Sequence, residues 1–156
     1  MKFPEMLKEF TAAVEAGDGT RLGALFTEDG VYHDTFYGAF QGREAIREML
    51  EEYFYRDGTR FRWDMSDPVC NENTGYALWR FSYASVLPDL QGQRAAVTGM
   101  SQFQLNNGLI AHYSEVFDSG KAMAQLGFAP ERIVKLLNRW NTEELAHPNM
   151  ARHIAD

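Results

Sequence analysis

The sequence predicts one α+β domain, in which a strongly curved, mixed or antiparallel sheet wraps around N-terminal helices and an extra helix follows at the C-terminal end. Three patterns predict this order. Apolar residues recur at helical spacing over the first third of the chain. From residue 60 onward they alternate with polar residues, which is typical of strands with one buried face. Helical spacing returns after residue 130, and 156 residues is the length of a single domain.

The N-terminal part is predicted to form three helices. The first ends at Gly17, which suits a left-handed C-cap. Asp18 or Thr20 is expected to cap a short second helix, which ends where residues 30–35 form a brief extended piece. The third helix ends at Gly58. The apolar stripes of the first and third helices are Phe3, Met6, Leu7, Phe10, Ala13 and Val14, and Ala45, Ile46, Met49, Leu50, Tyr53 and Phe54.

Strands are predicted to follow as an antiparallel meander. Gly99 lies in the middle of one of them, where a missing side chain predicts a bulge or a bend. Asn107 and Gly108 predict a two-residue hairpin, because both central positions of that turn favour a positive φ. The predicted strands are residues 60–65, 76–86, 94–105 and 109–117.

A final helix is predicted from Pro130 to Ala146, where Trp140 lies on the apolar face, and residues 147–156 are interpreted as a tail. We therefore expect residues 1–128 to form the α+β unit. Residues 129–156 are expected to add a C-terminal helix and tail that belong to the same domain.

Composition argues against several classes of function. The net charge is −7 and Lys and Arg form no cluster, so nucleic acid and anionic membranes are not expected partners. No apolar run approaches membrane-spanning length, and a cytoplasmic location is expected. The lone Cys70 has no neighbour that lowers a thiol pKa and is interpreted as a filler. Aromatic residues make up 13% of the chain, which predicts a ligand cavity walled by rings.

Two carboxylates are candidate general bases. Asp34 follows Tyr32 in an aromatic stretch, and Glu115 shares strand parity with Tyr113 and Phe117. A carboxylate in an apolar pocket loses hydration, so its pKa rises and it can remove a proton from a carbon beside a carbonyl. Two alternatives remain: Asp34 only ends its strand by binding backbone amides, or a bulge turns Glu115 to solvent.

Other polar residues have weaker claims. His33 and His112 can act as acid or base near neutral pH, or they have only a structural role. Arg80 can pair with a pocket carboxylate, although alternation places it opposite the rings. No ligand spacing indicates a metal, and no cofactor is expected. The expected ligand-binding residues, which otherwise form only a packed core, are Trp63, Trp79, Phe81, Tyr83, Tyr113 and Phe117.

Two segments carry a family resemblance. The first contains Leu25-Phe-Thr-Glu-Asp-Gly-Val-Tyr-His-Asp34 and Gly42-Arg-Glu-Ala-Ile-Arg-Glu48. The second contains Asn107-Gly-Leu-Ile110, Tyr113-Ser-Glu115 and Gln125-Leu-Gly127. Their order and separation resemble the nuclear-transport-factor-2-like superfamily, in particular its SnoaL-like polyketide cyclase and ketosteroid-isomerase-like branches. The resemblance implies a cone-like fold and, because relatives pair through the outer face of the sheet, a homodimer.

The resemblance also implies roles for individual residues. Asp34 falls where ketosteroid isomerases keep the carboxylate that moves a proton between carbons. The oxyanion donors of those enzymes fall on Phe10 and close to Gly99, which have no side-chain donor, so steroid isomerisation is not expected. In the cyclase branch the general base falls on Glu115 and its polar partner on Ser101, which joins the expected ligand-binding residues.

The resulting hypothesis is a cofactor-free isomerase, cyclase or dehydratase that acts on a small apolar or aromatic carbonyl compound. Asp34 or Glu115 is the base, and Tyr32, His112 and Ser101 are candidate donors. The alternative is a protein of the same fold that binds a ligand without turnover or serves as a dimeric interaction module.

Overall fold

The structure is a computed structural model that describes residues 1–155. The helices are α1 (Phe3–Ala16), α2 (Gly19–Gly23), α3 (Arg43–Glu48), α4 (Tyr55–Asp57), α5 (Ser119–Gln125), α6 (Pro130–Leu145) and α7 (Ala151–Ile154). The strands are β1 (Phe26–Asp34), β2 (Gly38–Gln41), β3 (Gly58–Cys70), β4 (Thr74–Ser85), β5 (Arg94–Asn106) and β6 (Leu109–Phe117). A π-helical turn (Met49–Phe54) joins α3 to α4, and a 3-10 turn (Pro148–Met150) precedes α7.

The six strands form one curved sheet in the order β2-β1-β6-β5-β4-β3. Neighbouring strands are antiparallel except β1 and β6, which run parallel with Tyr32 beside Tyr113. This arrangement confirms the predicted α+β class with a mixed, strongly curved sheet. The hairpin between β5 and β6 is also confirmed, since Asn107 and Gly108 both have positive φ, at 50° and 77°.

Helix α1 forms where its apolar stripe predicts it, and the whole stripe is buried. Gly17 ends the helix in the left-handed conformation, with φ 68°. The buried face packs against β3. Phe10 has no exposed surface and contacts the rings of Tyr32 and Tyr113. The core therefore lies between α1 and the sheet.

Helix α2 is shorter than the sequence predicts. The Asp18 carboxylate caps it by accepting a hydrogen bond from the Arg21 amide at 2.9 Å. Leu25 and Phe26 continue the apolar spacing, but Phe26 begins β1 and pairs with Ile110 of β6. The prediction of helix up to residue 30 is wrong because strand pairing overrides the local pattern.

Two elements escape the sequence pattern altogether. Strand β2 lies between the predicted extended piece and the predicted third helix, where no strand is predicted, and it pairs with β1. Helix α5 is capped by Asp118, whose carboxylate accepts a hydrogen bond from the Lys121 amide at 3.0 Å. Both elements are too short for periodicity to show. The predicted tail also contains helical turns, at Pro148–Met150 and Ala151–Ile154.

The third predicted helix changes its winding at Met49. The π-helical turn leaves Tyr53 37% exposed while Phe54 is only 8% exposed. Only one of the two rings on the predicted stripe therefore reaches the core. Turns of this kind are frequent at functional sites, and Phe54 lines the cavity described below.

Gly99 does not mark a bulge, so the first of the two predicted alternatives, a bulge or a bend, is wrong. It pairs in register with Trp79 of β4 and with Phe117 of β6. A Cβ atom at residue 99 would lie 2.3 Å from Cζ2 of Trp79. The glycine is needed because the indole ring occupies that space. The ladder between β5 and β6 shifts register after Gln104 instead.

Helix α6 lies against the rest of the domain through a few side chains. The Trp140 ring meets Phe36 at a centroid distance of 5.6 Å, and the Arg132 guanidinium lies 4.0 Å from the centre of the Phe128 ring. No residue of α6 is fully buried. That residues 129–156 belong to the same domain as residues 1–128 stays a prediction.

Two surface features complete the description. Cys70 is exposed at the end of β3, so it does not fill space in the core as the filler interpretation requires. Among residues 1–155, no helix combines the length and the apolar character that crossing a membrane requires.

Candidate functional site

A cavity lies on the inner side of the curved sheet, beside the end of the π-helical turn. Its volume is about 60 Å³. An apolar cavity of about 150 Å³ admits benzene, so this one suits an occupant of only a few non-hydrogen atoms. The wall consists mostly of aromatic rings, among which lie the carboxyl groups of Asp34, Asp57 and Glu115.

Most of the predicted site residues line this cavity. They are Tyr32, Asp34, Trp63, Trp79, Phe81, Tyr83, Glu115 and Phe117. Ser101 and Tyr113 are fully buried behind the wall. His112 is not part of the wall, because its side chain lies on the opposite face of the sheet from its neighbour Tyr113.

The sequence analysis missed a polar pair on the cavity wall. The Tyr37 hydroxyl donates a hydrogen bond to Oδ2 of Asp57 at 2.6 Å. Arg56 forms an ion pair with Asp57. The hydrogen bond from Arg56, together with the smaller effect of the one from Tyr37, lowers the pKa of Asp57 below its usual value. In the sequence, Asp57 stands out only as part of the dipeptide Asp57-Gly58, which predicts the end of the third helix and not a polar site.

Asp34 ends β1 and is 4% exposed. Its Oδ2 accepts hydrogen bonds from the Phe36 and Tyr37 amides, at 2.8 and 2.9 Å. This is the strand-ending role, yet the same side chain also lines the cavity. Both interpretations of Asp34 therefore describe its geometry. No hydrogen bond within residues 1–155 uses Oδ1, which leaves that oxygen for an occupant of the cavity.

Glu115 is oriented by a chain of hydrogen bonds. The Trp79 indole can only donate, and it donates to Oγ of Ser101 at 2.8 Å. A hydrogen bond of 2.9 Å joins Oγ of Ser101 to Oη of Tyr113. Tyr113 in turn donates to Oε2 of Glu115 at 2.8 Å. Longer contacts of 3.3 and 3.5 Å join Oε1 to the hydroxyl and amide of Thr35.

The environment separates the acidities of the two carboxyl groups. Burial raises the pKa of Asp34 to about 6, against the opposing effect of its two backbone hydrogen bonds. Burial and then the nearby charge of Asp34 raise the pKa of Glu115 to about 8. None of the cationic side chains in the described part of the chain contributes to either shift. Between these two values the coupled pair therefore shares one negative charge.

These pKa shifts predict how stability depends on pH. Both groups have a folded-state pKa above the usual value, so the folded state binds more protons than the unfolded state from about pH 4 up to about pH 8. The free energy of unfolding should fall as the pH rises through that window, by on the order of 2–3 kcal/mol for Asp34.

Urea unfolding at pH 5 and pH 9 measures this effect. Asp34→Asn should lose less stability than the wild type between the two values, since the amide has no charge to bury. Asp64→Asn, which alters an exposed carboxylate on β3, is the control and should follow the wild type. Equal pH dependence in all three proteins would contradict the raised pKa of Asp34.

Within residues 1–155, two buried donors on residues of the cavity wall make no hydrogen bond of normal geometry. They are Oη of Tyr32 and Nε1 of Trp63. An unpaired buried donor costs roughly 1–3 kcal/mol, so their presence together in one cavity needs an explanation. Sequence reasoning identified both residues, but it assigned only a ring to Trp63, because strand parity says nothing about where an indole nitrogen points.

The other weighed residues lie away from the cavity. His33 and His112 do approach each other, with ring centroids 6.4 Å apart. Burial and the charge of His33 lower the pKa of His112. Arg80 is exposed on the outer face, as strand alternation predicts. Among the described residues, no three or more His, Cys, Asp or Glu side chains are grouped so that they could hold a metal ion.

The comparison with protein families decides the classification. The SnoaL-like domain model matches residues 7–113, which is more than half of the chain. The chain belongs to the SnoaL-like domain family. The match includes β1 with Asp34 and ends two residues before Glu115, which therefore lies outside it. No curated protein matches the sequence of this SnoaL-like domain.

Solved structures share the fold of this SnoaL-like domain. A hypothetical protein with a ketosteroid isomerase-like fold from Catenulispora acidiphila, in complex with trimethylamine, is 18% identical with a TM-score of 0.73, over 83% of this chain and 98% of that one. A candidate polyketide cyclase from Xanthomonas campestris is 20% identical with a TM-score of 0.65, and the match covers 80% of this chain and 96% of that one. An LEH-like epoxide hydrolase from M. tuberculosis is 15% identical with a TM-score of 0.62, and the match covers 86% of this chain and 92% of that one. These likenesses confirm the predicted nuclear-transport-factor-2-like fold.

Proposed function

We propose that this SnoaL-like domain is a cofactor-free enzyme of the isomerase, cyclase or dehydratase type that transfers a proton on a small, largely apolar carbonyl compound. One observation carries the proposal. Two buried carboxyl groups border the same aromatic cavity and have no cationic partner among residues 1–155, and their raised pKa values lie on either side of neutrality. A pair of carboxyl groups separated in this way is the usual sign of one base and one acid.

Asp34 is the general base in this proposal. Its ionised carboxylate accepts the proton of a carbon made acidic by the neighbouring carbonyl, and the electron pair of the C–H bond moves into an enolate. Glu115 supplies a proton to a second atom of the same conjugated system. The substrate thus loses one proton and gains one. The pair returns to its starting state when the proton on Asp34 passes to Glu115.

The cavity limits the size of the substrate. A volume of about 60 Å³ does not admit a steroid or a polycyclic polyketide. Ketosteroid isomerisation is disfavoured for a second reason, because the positions of its two oxyanion donors have no donor side chain here. Phe10 is a buried hydrocarbon ring. Residue 99 is a glycine, and the Trp79 ring fills the space beside it. The complex of the Catenulispora protein with trimethylamine supports a small occupant for this fold.

Hydrogen–deuterium exchange tests the proposal without knowledge of the natural substrate. Small ketones are incubated with the protein in deuterated buffer, and NMR follows the loss of the protons beside the carbonyl. Catalysed exchange is expected for ketones of a few carbon atoms, with the rate rising through the pKa of Asp34 and falling through that of Glu115. Exchange no faster than in buffer across a panel of such ketones would leave the non-catalytic binding protein as the better description.

A separate observation favours a homodimer that forms through the outer face of the sheet. Leu78, Met100 and Val116 are neighbours across three strands, Leu78 opposite Met100 and Met100 opposite Val116. Their exposed fractions are 49%, 41% and 65%. A contiguous apolar row on a sheet face is typical of a surface that a second molecule covers. We propose that a second copy of the chain covers this row.

The variant Met100→Glu tests the homodimer. A carboxylate in the middle of the row would lie buried in the interface without a partner, so dissociation to the monomer is expected at micromolar concentration. Light scattering after size-exclusion chromatography gives the mass. Val134→Glu, at an exposed apolar position of α6, is the matched control and should leave the dimer intact. A monomeric wild-type protein would refute the dimer.

A further inference from the structure

Within the described part of the chain, the cavity wall combines aromatic rings with carboxyl groups and contains no basic side chain. Every residue that lines it carries an aromatic ring, except one glycine and the acids Asp34, Asp57 and Glu115. Two basic side chains of the same sheet, Arg62 and Arg80, line a separate groove. The inside of the cavity is therefore apolar and negative, a combination that suits a small organic cation.

One oxygen of Asp34 is open to the cavity. Both backbone hydrogen bonds of this carboxylate go to Oδ2, at 2.8 and 2.9 Å. Oδ1 makes no hydrogen bond within residues 1–155 and still keeps accessible surface, although the residue as a whole is only 4% exposed. Oη of Tyr32 and Nε1 of Trp63, by contrast, are enclosed by protein. An occupant of the cavity therefore reaches the Asp34 oxygen and not those two donors.

The charge of this carboxylate is not balanced inside the protein. Between about pH 6 and about pH 8, Asp34 and Glu115 share one negative charge, and no basic group of residues 1–155 contributes to their raised pKa values. Asp57 differs, because Arg56 pairs with it. Folding has already removed water from the Asp34 carboxylate, so a cation that enters the cavity loses only its own hydration. Its attraction to the carboxylate is strong among aromatic rings, where the effective dielectric constant is low.

We propose that the cavity binds a small alkylammonium ion, whose N–H group donates to Oδ1 of Asp34 while its alkyl groups contact the rings. The charge of the ion offsets the shared charge of the carboxyl pair, and the faces of aromatic rings attract cations as well. A volume of about 60 Å³ limits the ion to a few non-hydrogen atoms. The inference goes beyond the proposed function, since binding requires no turnover.

A rival place for a cation lies on the surface. A groove between the C-terminal part of α6 and the sheet is lined by Glu143 and Glu144 beside the Trp140 ring. Both glutamates are exposed, so water and salt already compensate their charges before any ligand binds. The Asp34 carboxylate is shielded from water and salt, and we therefore assign the ion to the cavity.

Probes of equal size and different charge test the inference in the wild-type protein. Isopropylammonium, 2-propanol and acetate have the same number of non-hydrogen atoms, and the first two have the same shape. Titrations at neutral pH are followed by ¹H–¹⁵N NMR, in which the indole signals of Trp63 and Trp79 report from the cavity wall. We expect isopropylammonium to bind at least roughly tenfold more tightly than 2-propanol, and acetate not to bind. Equal affinity for the first two probes, or no binding of either, would overturn the cation site.

Variants locate the bound ion. Because Asp34 and Glu115 share a charge, replacing one leaves the other able to ionise, and the double variant Asp34→Asn/Glu115→Gln removes the charge altogether. It should bind isopropylammonium at least roughly tenfold more weakly, with little change for 2-propanol. Glu143→Gln/Glu144→Gln, which also removes two carboxylates, is the matched control and should bind like the wild type. Undiminished binding by the cavity variant would place the ion elsewhere and refute the assignment.

The cation site and the proposed function can fail separately. Charge-selective binding without catalysed exchange of small ketones would leave the cation site standing and remove the catalytic function. Catalysed exchange with no preference for isopropylammonium over 2-propanol would have the opposite meaning.

Discussion

Asp34→Asn is expected to slow deuterium exchange of a small ketone roughly a hundredfold to ten-thousandfold, which is the usual contribution of a positioned general base. The amide cannot accept the proton, but it keeps an oxygen that accepts the hydrogen bonds from the Phe36 and Tyr37 amides. The loss should therefore appear in kcat, with little change in the affinity for the ketone. Asp64→Asn, on the exposed side of β3, is the matched control.

Glu115→Gln should change the pH profile in a different way. The alkaline limb of the wild-type profile, near the raised pKa of about 8, reports the loss of the Glu115 proton. Glutamine has no such proton to lose, so the limb should disappear while the acidic limb from Asp34, near about 6, remains. An alkaline limb that persists in this variant would show that another group supplies the proton.

Gly99→Ala is expected to destabilise the domain by roughly 1–3 kcal/mol, the usual cost of overpacking a core. The added Cβ would lie 2.3 Å from Cζ2 of Trp79 and 2.7 Å from the carbonyl oxygen of Val116. The indole must move, which breaks its hydrogen bond to Ser101 and loosens the chain that orients Glu115. Chemical unfolding measures the first effect and the exchange rate measures the second.

A double-mutant cycle isolates the clash. Phenylalanine lacks the outer atoms of the indole, so Trp79→Phe should recover part of the stability that Gly99→Ala removes. The contact with the carbonyl of Val116 remains, and recovery should be incomplete. As a control, Gly92→Ala adds a Cβ to a turn glycine that has open space around it, although its positive φ adds strain of its own. Strictly additive effects of the two core changes would mean that the Trp79 ring is not what makes a glycine necessary at residue 99.

The parts of the fold with long periodic patterns could be predicted from the sequence. Helix α1, the helix near Trp140 and the strands from β3 to β6 have ten or so residues in which one spacing dominates. Strand β1 was underestimated because Phe26 fits a helical stripe equally well, and only its partner Ile110 decides the matter. Pairing over that distance along the chain leaves no local trace.

The candidate site could be predicted in its residue types and not in its distances. Parity along β6 correctly placed Glu115 on the same side as Tyr113, and the aromatic stretch around Asp34 indicated a cavity. The direction of the Trp79 indole, the free nitrogen of Trp63 and the size of the cavity depend on rotamers and on packing between strands. No one-dimensional pattern contains that information.

The parallel pairing of β1 with β6 has a consequence for how the molecule acquires its site during synthesis. Asp34 and Thr35 emerge from the ribosome some eighty residues before Glu115, with which Thr35 makes its contacts. The strand that carries Asp34 finds its inner partner only after β6 has been made. A nascent chain that stops short of residue 117 would thus expose the unpaired backbone groups along one edge of β1. It would also lack Glu115 of the acid–base pair. The site and the sheet are therefore completed in the same folding step.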